Sequence, residues 1–412
     1  MRFVLLFLLL LPFASALVIE HTGKTGQNAV LYGDTIAYER DGSIYVYDIA
    51  RREESEIGRG GNPSLFGFTV VFETKETDSD LNGDGDKDDY VIQYAGVRDK
   101  KIINTGAVGR HPNFYSGQIA FSTKESELGV DYTNDGDTND DVIRIYDMGS
   151  GKITNTKAAG DFPAINTKYV VLQAGEEQIG FDLNGDGDKN DQIIRVYNQD
   201  DHQVGNVGPG ERPVLSKDSI ALFVSNGRIR MLDAKGGKVV DINQSGASPS
   251  IFDNTALFTR DSQLYGFGVK NNTLVKLDVA AAQVSFFDDT AAFISPDNTI
   301  NYVIERDDDK DGLSDFVDNC PDVKNENQTD NDSNGLGDVC DKEVKKPEVK
   351  QPAPVENKIP SAQNVSAQNA TSAQIERQGI AWYWYLLVIV LLPFIAYYGY
   401  KYHKKRQKSF GF

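Results

Sequence analysis

Three stretches of the chain hold the residues best suited to chemistry, and they are spelled almost alike. Residues 80–89 read DLNGDGDKDD, 131–140 read DYTNDGDTND and 182–191 read DLNGDGDKND, 51 residues apart both times. Acidic or amide side chains stand at alternate positions, which is how a short loop delivers the six to eight oxygens that a hard cation such as Ca2+ takes. In the first copy these are Asp80, Asn82 and Asp84, with Gly85 to turn the backbone and Asp86 to offer a carbonyl. Asp88 or Asp89 closes the site. The second copy offers Asp131, Thr133, Asp135, Asp137, Asn139 and Asp140, and the third Asp182, Asn184, Asp186, Asp188, Asn190 and Asp191. None has Glu at the twelfth position, and no helical pattern flanks them. Each runs instead into a β-patterned segment: YVIQY from Tyr90, VIRIY from Val142, IIRVY from Ile193. The expectation is calcium on β-hairpins rather than in EF-hands. The alternative, a solvated acidic turn, does not account for three copies in one register.

The elements that position these loops repeat as well. Aligned segments begin at Ala29, Pro63, Pro112, Pro163, Pro213, Pro249 and Val284, spaced by 34, 49, 51, 50, 36 and 35 residues. The three long repeats exceed the others by about 15 residues, which is the length of the acidic hairpin. Each unit shows short apolar runs split by turn residues, as in Thr255–Thr259, Gln263–Phe267 and Thr273–Leu277. Four short strands per radial repeat make the blade of a β-propeller. A solenoid of the same period would show one strand per turn and ladders of glycine or asparagine. The fold class expected is all-β, a seven-bladed propeller over residues 17–306. The seventh unit ends after its third strand, and LVIEHTGKTG from Leu17 matches the fourth-strand pattern KIINTGAVG from Lys101. The N-terminal strand is therefore expected to complete blade seven and remove an open edge. The hairpin loops resemble the calcium loops of integrin α-chain (FG-GAP) propellers, although that family's Phe-Gly and Gly-Ala-Pro signatures are absent here.

Residues 307–341 read DDDKDGLSDFVDNCPDVKNENQTDNDSNGLGDVCD and resemble a thrombospondin type-3 repeat over its full length. The resemblance implies one calcium loop on Asp307, Asp309, Asp311, Asp315 and Asp318, and a second on Asp330, Asp332, Asn334, Asp338 and Asp341. Leu313, Phe316, Val317, Val323, Leu336 and Val339 are too few for a core of their own. In that family ions and disulfides do the stabilising, and with one repeat Cys320–Cys340 is the only intramolecular pairing. Closing such a loop contributes about 3 kcal/mol.

The remaining segments concern placement. Residues 1–16, with Arg2, an apolar run and Ala14-Ser15-Ala16, predict a secretory signal peptide. Residues 342–379 are rich in Pro, Ala and Gln and predict a flexible linker. Asn243, Asn271, Asn364 and Asn369 head glycosylation sequons. Ile380–Tyr400 holds no Asp, Glu, Lys, Arg or His and is flanked by aromatics, which predicts a transmembrane helix of about 31 Å. The basic residues of 401–412 place that tail in the cytoplasm and the propeller outside.

A net charge of −19 argues against a nucleic-acid partner. No His-Glu-x-x-His, Gly-x-Ser-x-Gly or paired Cys and His is present, so no enzyme class is indicated by motif. A site gathered from several blades would leave no such motif. Arg110, His111 and Arg212, in turns that lead into blades, are the candidates for ligand contact. The reading is a surface protein, anchored by one helix, whose calcium-loaded propeller binds a protein or glycan partner. The alternatives are an extracytoplasmic lyase or hydrolase and a structural envelope component.

Overall fold

The computed structural model describes residues 17–342, except 271, 333 and 334. Seven four-stranded antiparallel sheets follow one another along the chain, at 27–59, 61–108, 110–159, 161–209, 211–245 and 247–280, with the seventh built from 283–304 and Ile19–Thr25. Within each sheet the first strand is innermost, and the inner strands of neighbouring blades pack on one another. Serine and asparagine side chains stitch that inner ring together. The Phe114 N–H donates to Ser64 Oγ, Ile165 N–H to Asn113 Oδ1, Phe286 N–H to Ser250 Oγ and Leu31 N–H to Ser285 Oγ, each at 2.9 Å.

Second strands are sandwiched between blades, and their sequences show it. Val70, Val71 and Phe72, like Ala256, Leu257 and Phe258, are fully buried on both faces. A run of apolar residues without alternation is what a strand covered on both sides requires. Outer strands meet solvent, as Ile102–Val108 does along its first half. Glycine in six of the seven inter-blade turns permits a close approach (the turn from blade six to seven uses Ala281 and Ala282): a Cβ at Gly109 would collide with Phe121, and one at Gly246 with Phe258.

Closure uses the N-terminus. Ile19 pairs with Val303, Glu20 with Tyr302 and His21 with Asn301, and the strand continues past a bulge to Thr25. The expected seven blades and their closure are both present.

Two features differ from the sequence reading. A single helical turn, Glu125–Leu128 and Glu176–Ile179, precedes the second and third acidic hairpins, where no helix was expected. The turn is too short to leave an apolar period. In the segment after blade seven, Phe316 is wholly buried in the cluster formed by blades six and seven, edge-to-face with Phe286 at 5.6 Å. Its carbonyl lies where a side chain at Gly266 would stand. The segment thus borrows a core, while Val323, Leu336 and Val339 stay exposed. Cys320 and Cys340 are bonded, with Cα atoms 5.8 Å apart.

Among the described residues no helix is long and apolar enough to cross a membrane. The predicted signal peptide, Asn334, the linker beyond 342, the predicted span Ile380–Tyr400 and the basic tail lie outside the described residues, as does the sequon residue Asn271.

Candidate metal centres and the channel mouth

All three acidic loops connect the second and third strands of blades two, three and four. Adjacent strands run antiparallel, so these loops share a face with the inter-blade turns. Contacts confirm the juxtaposition: Gly109, Gly160 and Gly210 donate N–H bonds to Tyr90, Asp141 and Gln192, at the feet of the hairpins.

Each loop is curled around its first aspartate. Asp80 accepts from the N–H groups of Gly83 (2.5 Å) and Gly85 (3.0 Å), and Asp182 from those of Gly185 (2.6 Å) and Gly187 (2.9 Å). Asp131 accepts from Asn134 (2.5 Å) and Gly136 (3.1 Å). The sixth-position glycines share a φ of 103–106°, a backbone region closed to most side chains. Asn82 and Asn184 each reach both the fifth-position carboxylate and the tenth, Asp89 and Asp191. Thr133 Oγ1 lies 3.4 Å from Asp140. Asp86, Asp137 and Asp188 accept N–H bonds from the ninth residues Asp88, Asn139 and Asn190, which stay exposed. Of the two closing residues left open by sequence, the tenth is the inner one, and Asp89 and Asp140 are buried. Burial, with the charges of Glu127 and Asp84, pushes the Asp89 carboxyl up to about 7. Burial, with Asp135 beside it, does the same for Asp140.

Sequence reasoning missed one acidic residue per loop. Glu76, Glu125 and Glu176 follow the second strands directly and are buried, and Glu76 brings an oxygen within 4.8 Å of Asp86 and Asp89. The signal was a Glu four or six residues before the motif, obscured because the offset changes between copies. These clusters could hold a metal ion.

The segment after blade seven holds a comparable group. Asp307, Asp309 and Asp311 bring carboxylate oxygens within 4.8 Å of one another. Asp318 accepts from Cys320 N–H (2.8 Å) and Gln328 Nε2 (2.7 Å), and its other oxygen is buried without a donor. Burial pushes Asp315 up to about 6. Farther on, Asp330 accepts from Gly335 N–H (2.9 Å) and Asp338 from Asn331 N–H (3.0 Å), with Asp332 and Asp341 in the same loop.

The three ligand-contact candidates part company. Arg110 turns outward, pairing with Glu127 at 2.7 Å and lying over the Tyr90 ring. His111 and Arg212 meet on Phe162: the imidazole stacks on it at 3.9 Å and the guanidinium sits 5.6 Å from its centre. Asn62, His111, Phe162 and Arg212 all have φ near 50° and each precedes a proline, a strained choice repeated around the mouth. The strain accompanies a continuous polar network. Asn28 and Asn62 bond Glu39 and one another, Asn62 and His111 both donate to Glu73, and His111 Nδ1 lies 2.8 Å from Asp161. Ser122 Oγ joins the same network, 2.6 Å from Asp161 Oδ1 and 3.2 Å from the Arg110 carbonyl. At the opposite mouth Tyr32, Phe66, Tyr115, Phe252 and Phe287 form a chain of ring contacts around a cavity of about 450 Å3, which the Lys217–Asp253 ion pair (2.8 Å) also lines.

No protein-family profile and no curated protein matches the sequence. Solved structures resemble the fold. The β-propeller domain of the Trilobed protease from Pyrococcus furiosus is 10% identical, with a TM-score of 0.50 over 71% of this chain and 98% of that one. That domain has an open velcro topology, whereas here the N-terminal strand closes blade seven. Pyrococcus horikoshii acylaminoacyl peptidase (11% identity, TM-score 0.47, 65% of this chain and 48% of that one) is also similar. So is oligogalacturonate lyase from Vibrio parahaemolyticus (10%, 0.45, 70% and 91%). At such identities only the propeller fold follows.

Proposed function

We propose that this is a calcium-binding surface propeller, anchored by residues 380–400, that recognises a protein or glycan through the face carrying the three acidic hairpins. The observation behind the proposal is the distribution of chemistry. Three oxygen-rich loops stand side by side on blades two to four, next to the polar mouth of His111, Phe162 and Arg212, while the other mouth carries a chain of aromatic rings and, among the described residues, no such loops. Oxygen donors at alternate positions suit Ca2+, and extracellular modules of this kind bind it with Kd of about 10⁻⁴–10⁻³ M. The segment 307–341, read as a type-3 repeat, takes calcium in the same way.

Calorimetric titration of the full chain with Ca2+ tests the cation half, and uptake by both the hairpins and 307–341 is expected. An array of glycans and surface proteins probed with and without chelator tests the other half. Retention of a partner only in calcium supports the reading. Turnover of a bound glycan or peptide would replace it with the enzyme reading.

A further inference from the structure

At the foot of each hairpin stand two carboxylates that the loop motif does not require as a pair. Glu76, Glu125 and Glu176 leave the second strands, and Asp89, Asp140 and Asp191 lead into the third. The backbone N–H of each Glu donates to the carbonyl of its Asp, at 2.9, 2.9 and 3.0 Å, so the side chains start from facing rungs of one ladder. In the first two hairpins both members are buried: Glu76 is 1% exposed, Asp89 4%, and Glu125 and Asp140 0%.

One oxygen of each glutamate has a settled task. Glu125 Oε1 accepts from the N–H groups of Tyr132 (2.6 Å) and Thr133 (2.7 Å), and Glu176 Oε1 from those of Leu183 (2.6 Å) and Asn184 (3.1 Å). Glu76 Oε1 serves Leu81 and Asn82 in the same way. The second oxygens of Glu76 and Glu125, with Oδ1 of Asp140, are buried and have no hydrogen-bond donor. A buried carboxylate oxygen without a donor is costly, and two carboxylates sharing a buried site repel. No lysine or arginine is hydrogen-bonded or ion-paired to these oxygens among the described residues. A hard divalent cation satisfies both requirements at once, since it neutralises the pair and coordinates the open oxygens.

We propose that Glu76 and Glu125 are direct ligands of the hairpin cations, each forming with Asp89 or Asp140 the inner half of a site whose outer half is the loop. The proposal rests on the reading that the hairpins bind calcium, and it deepens it in two ways. The inner carboxylates raise the oxygen count toward seven, which favours Ca2+ over the octahedral Mg2+. They also make the three sites unequal. In the third hairpin Glu176 Oε2 already accepts from Asp191 N–H at 3.4 Å and Asp191 is partly exposed, so the ion there gains less from the glutamate.

The test is a Ca2+ titration of the full chain, followed by hydrogen exchange so that 76–89, 125–140 and 176–191 each report a separate midpoint. Variants are Glu76→Gln, Glu125→Gln, Glu176→Gln and, as an exposed control of equal charge change, Glu177→Gln. Glutamine keeps the Oε1 acceptor for the two loop N–H groups, so the hairpin retains its fold. Glu76→Gln and Glu125→Gln should each raise the midpoint of their own hairpin about tenfold or more, Glu176→Gln should raise its own by less, and Glu177→Gln should change nothing. If wild type shows midpoints that neither Glu76→Gln nor Glu125→Gln moves, the glutamates are not ligands and the calcium reading stands. Wild-type hairpins that show no midpoint overturn both. A shift in Glu177→Gln as large as that in Glu125→Gln would show that net charge alone is being read, and would also overturn the assignment.

Discussion

His111 is set against Asp161 so that each moves the other's titration. Burial lowers the imidazole pKa, but the hydrogen bond and charge of Asp161 prevail and hold it above its ordinary value. Burial raises Asp161, but its bond to His111 prevails and holds it below. The stability this pair contributes is therefore complete between about pH 4 and 6.5. It is lost as pH rises through the raised His111 value, and again as pH falls through the depressed Asp161 value. His111→Asn should lower the melting temperature more at about pH 5.5 than at about pH 8.5. An equal deficit at both would mean that the pair carries no linked charge. At this scale the sequence was legible where a motif has fixed spacing: Asp80, Asn82 and Asp84 each accept a backbone N–H bond from two or three residues on, which curls the loop. It was not legible where partners come from different blades. Arg110 and His111 are neighbours in sequence, yet His111, left-handed before Pro112, reaches Asp161 of the next blade while Arg110 stays with Glu127 of its own.

Strands were easier to read than their partners. The TALF-like second strands stand out because burial on both faces removes polar alternation, and the matching fourth-strand pattern at Leu17 shows which blade lacked a strand. Removing residues 17–23 deletes the pairing to Tyr302 and Asn301 and exposes the edge of the strand Thr299–Ile304. Such a chain should melt without cooperativity or aggregate, as scanning calorimetry with light scattering would reveal. An unchanged transition would show that the ring closes without that strand. The seat of Phe316 had no sequence signal, because one aromatic in an acidic segment does not say which blade receives it. Its burial predicts that Phe316→Ala costs about 3–5 kcal/mol in the stability of the segment and its seat on blades six and seven. Gly266→Ala should displace the same segment by blocking the Phe316 carbonyl, and limited proteolysis within 307–342 would report both. Resistance equal to wild type in both variants would contradict the docking.

The whole molecule joins a large apolar core to peripheral loops built from carboxylates. On the proposed reading, calcium at tenfold over Kd would stabilise by about 1.4 kcal/mol per site, which is small against a closed ring of seven sheets. It is not small for 307–341, where Phe316, with Val317 beside it, is the largest buried apolar side chain among the described residues. The sequence alone suggests that chelation unfolds this segment by itself. The docked Phe316 changes that expectation, because its departure uncovers part of the cluster that includes Leu257, Leu264, Val275 and Phe286. Hydrogen exchange with and without EDTA should then show four regions losing protection: the three hairpins, and 307–341 together with the third and outer strands of blade six, Gln263–Gly268 and Thr273–Ala280. The inner strands of all blades should be unchanged. If blade six keeps its protection while 307–341 loses its own, the segment is a passenger rather than part of the propeller's packing. If the inner strands also open, the hairpin cations hold the ring itself, and the division between core and periphery fails.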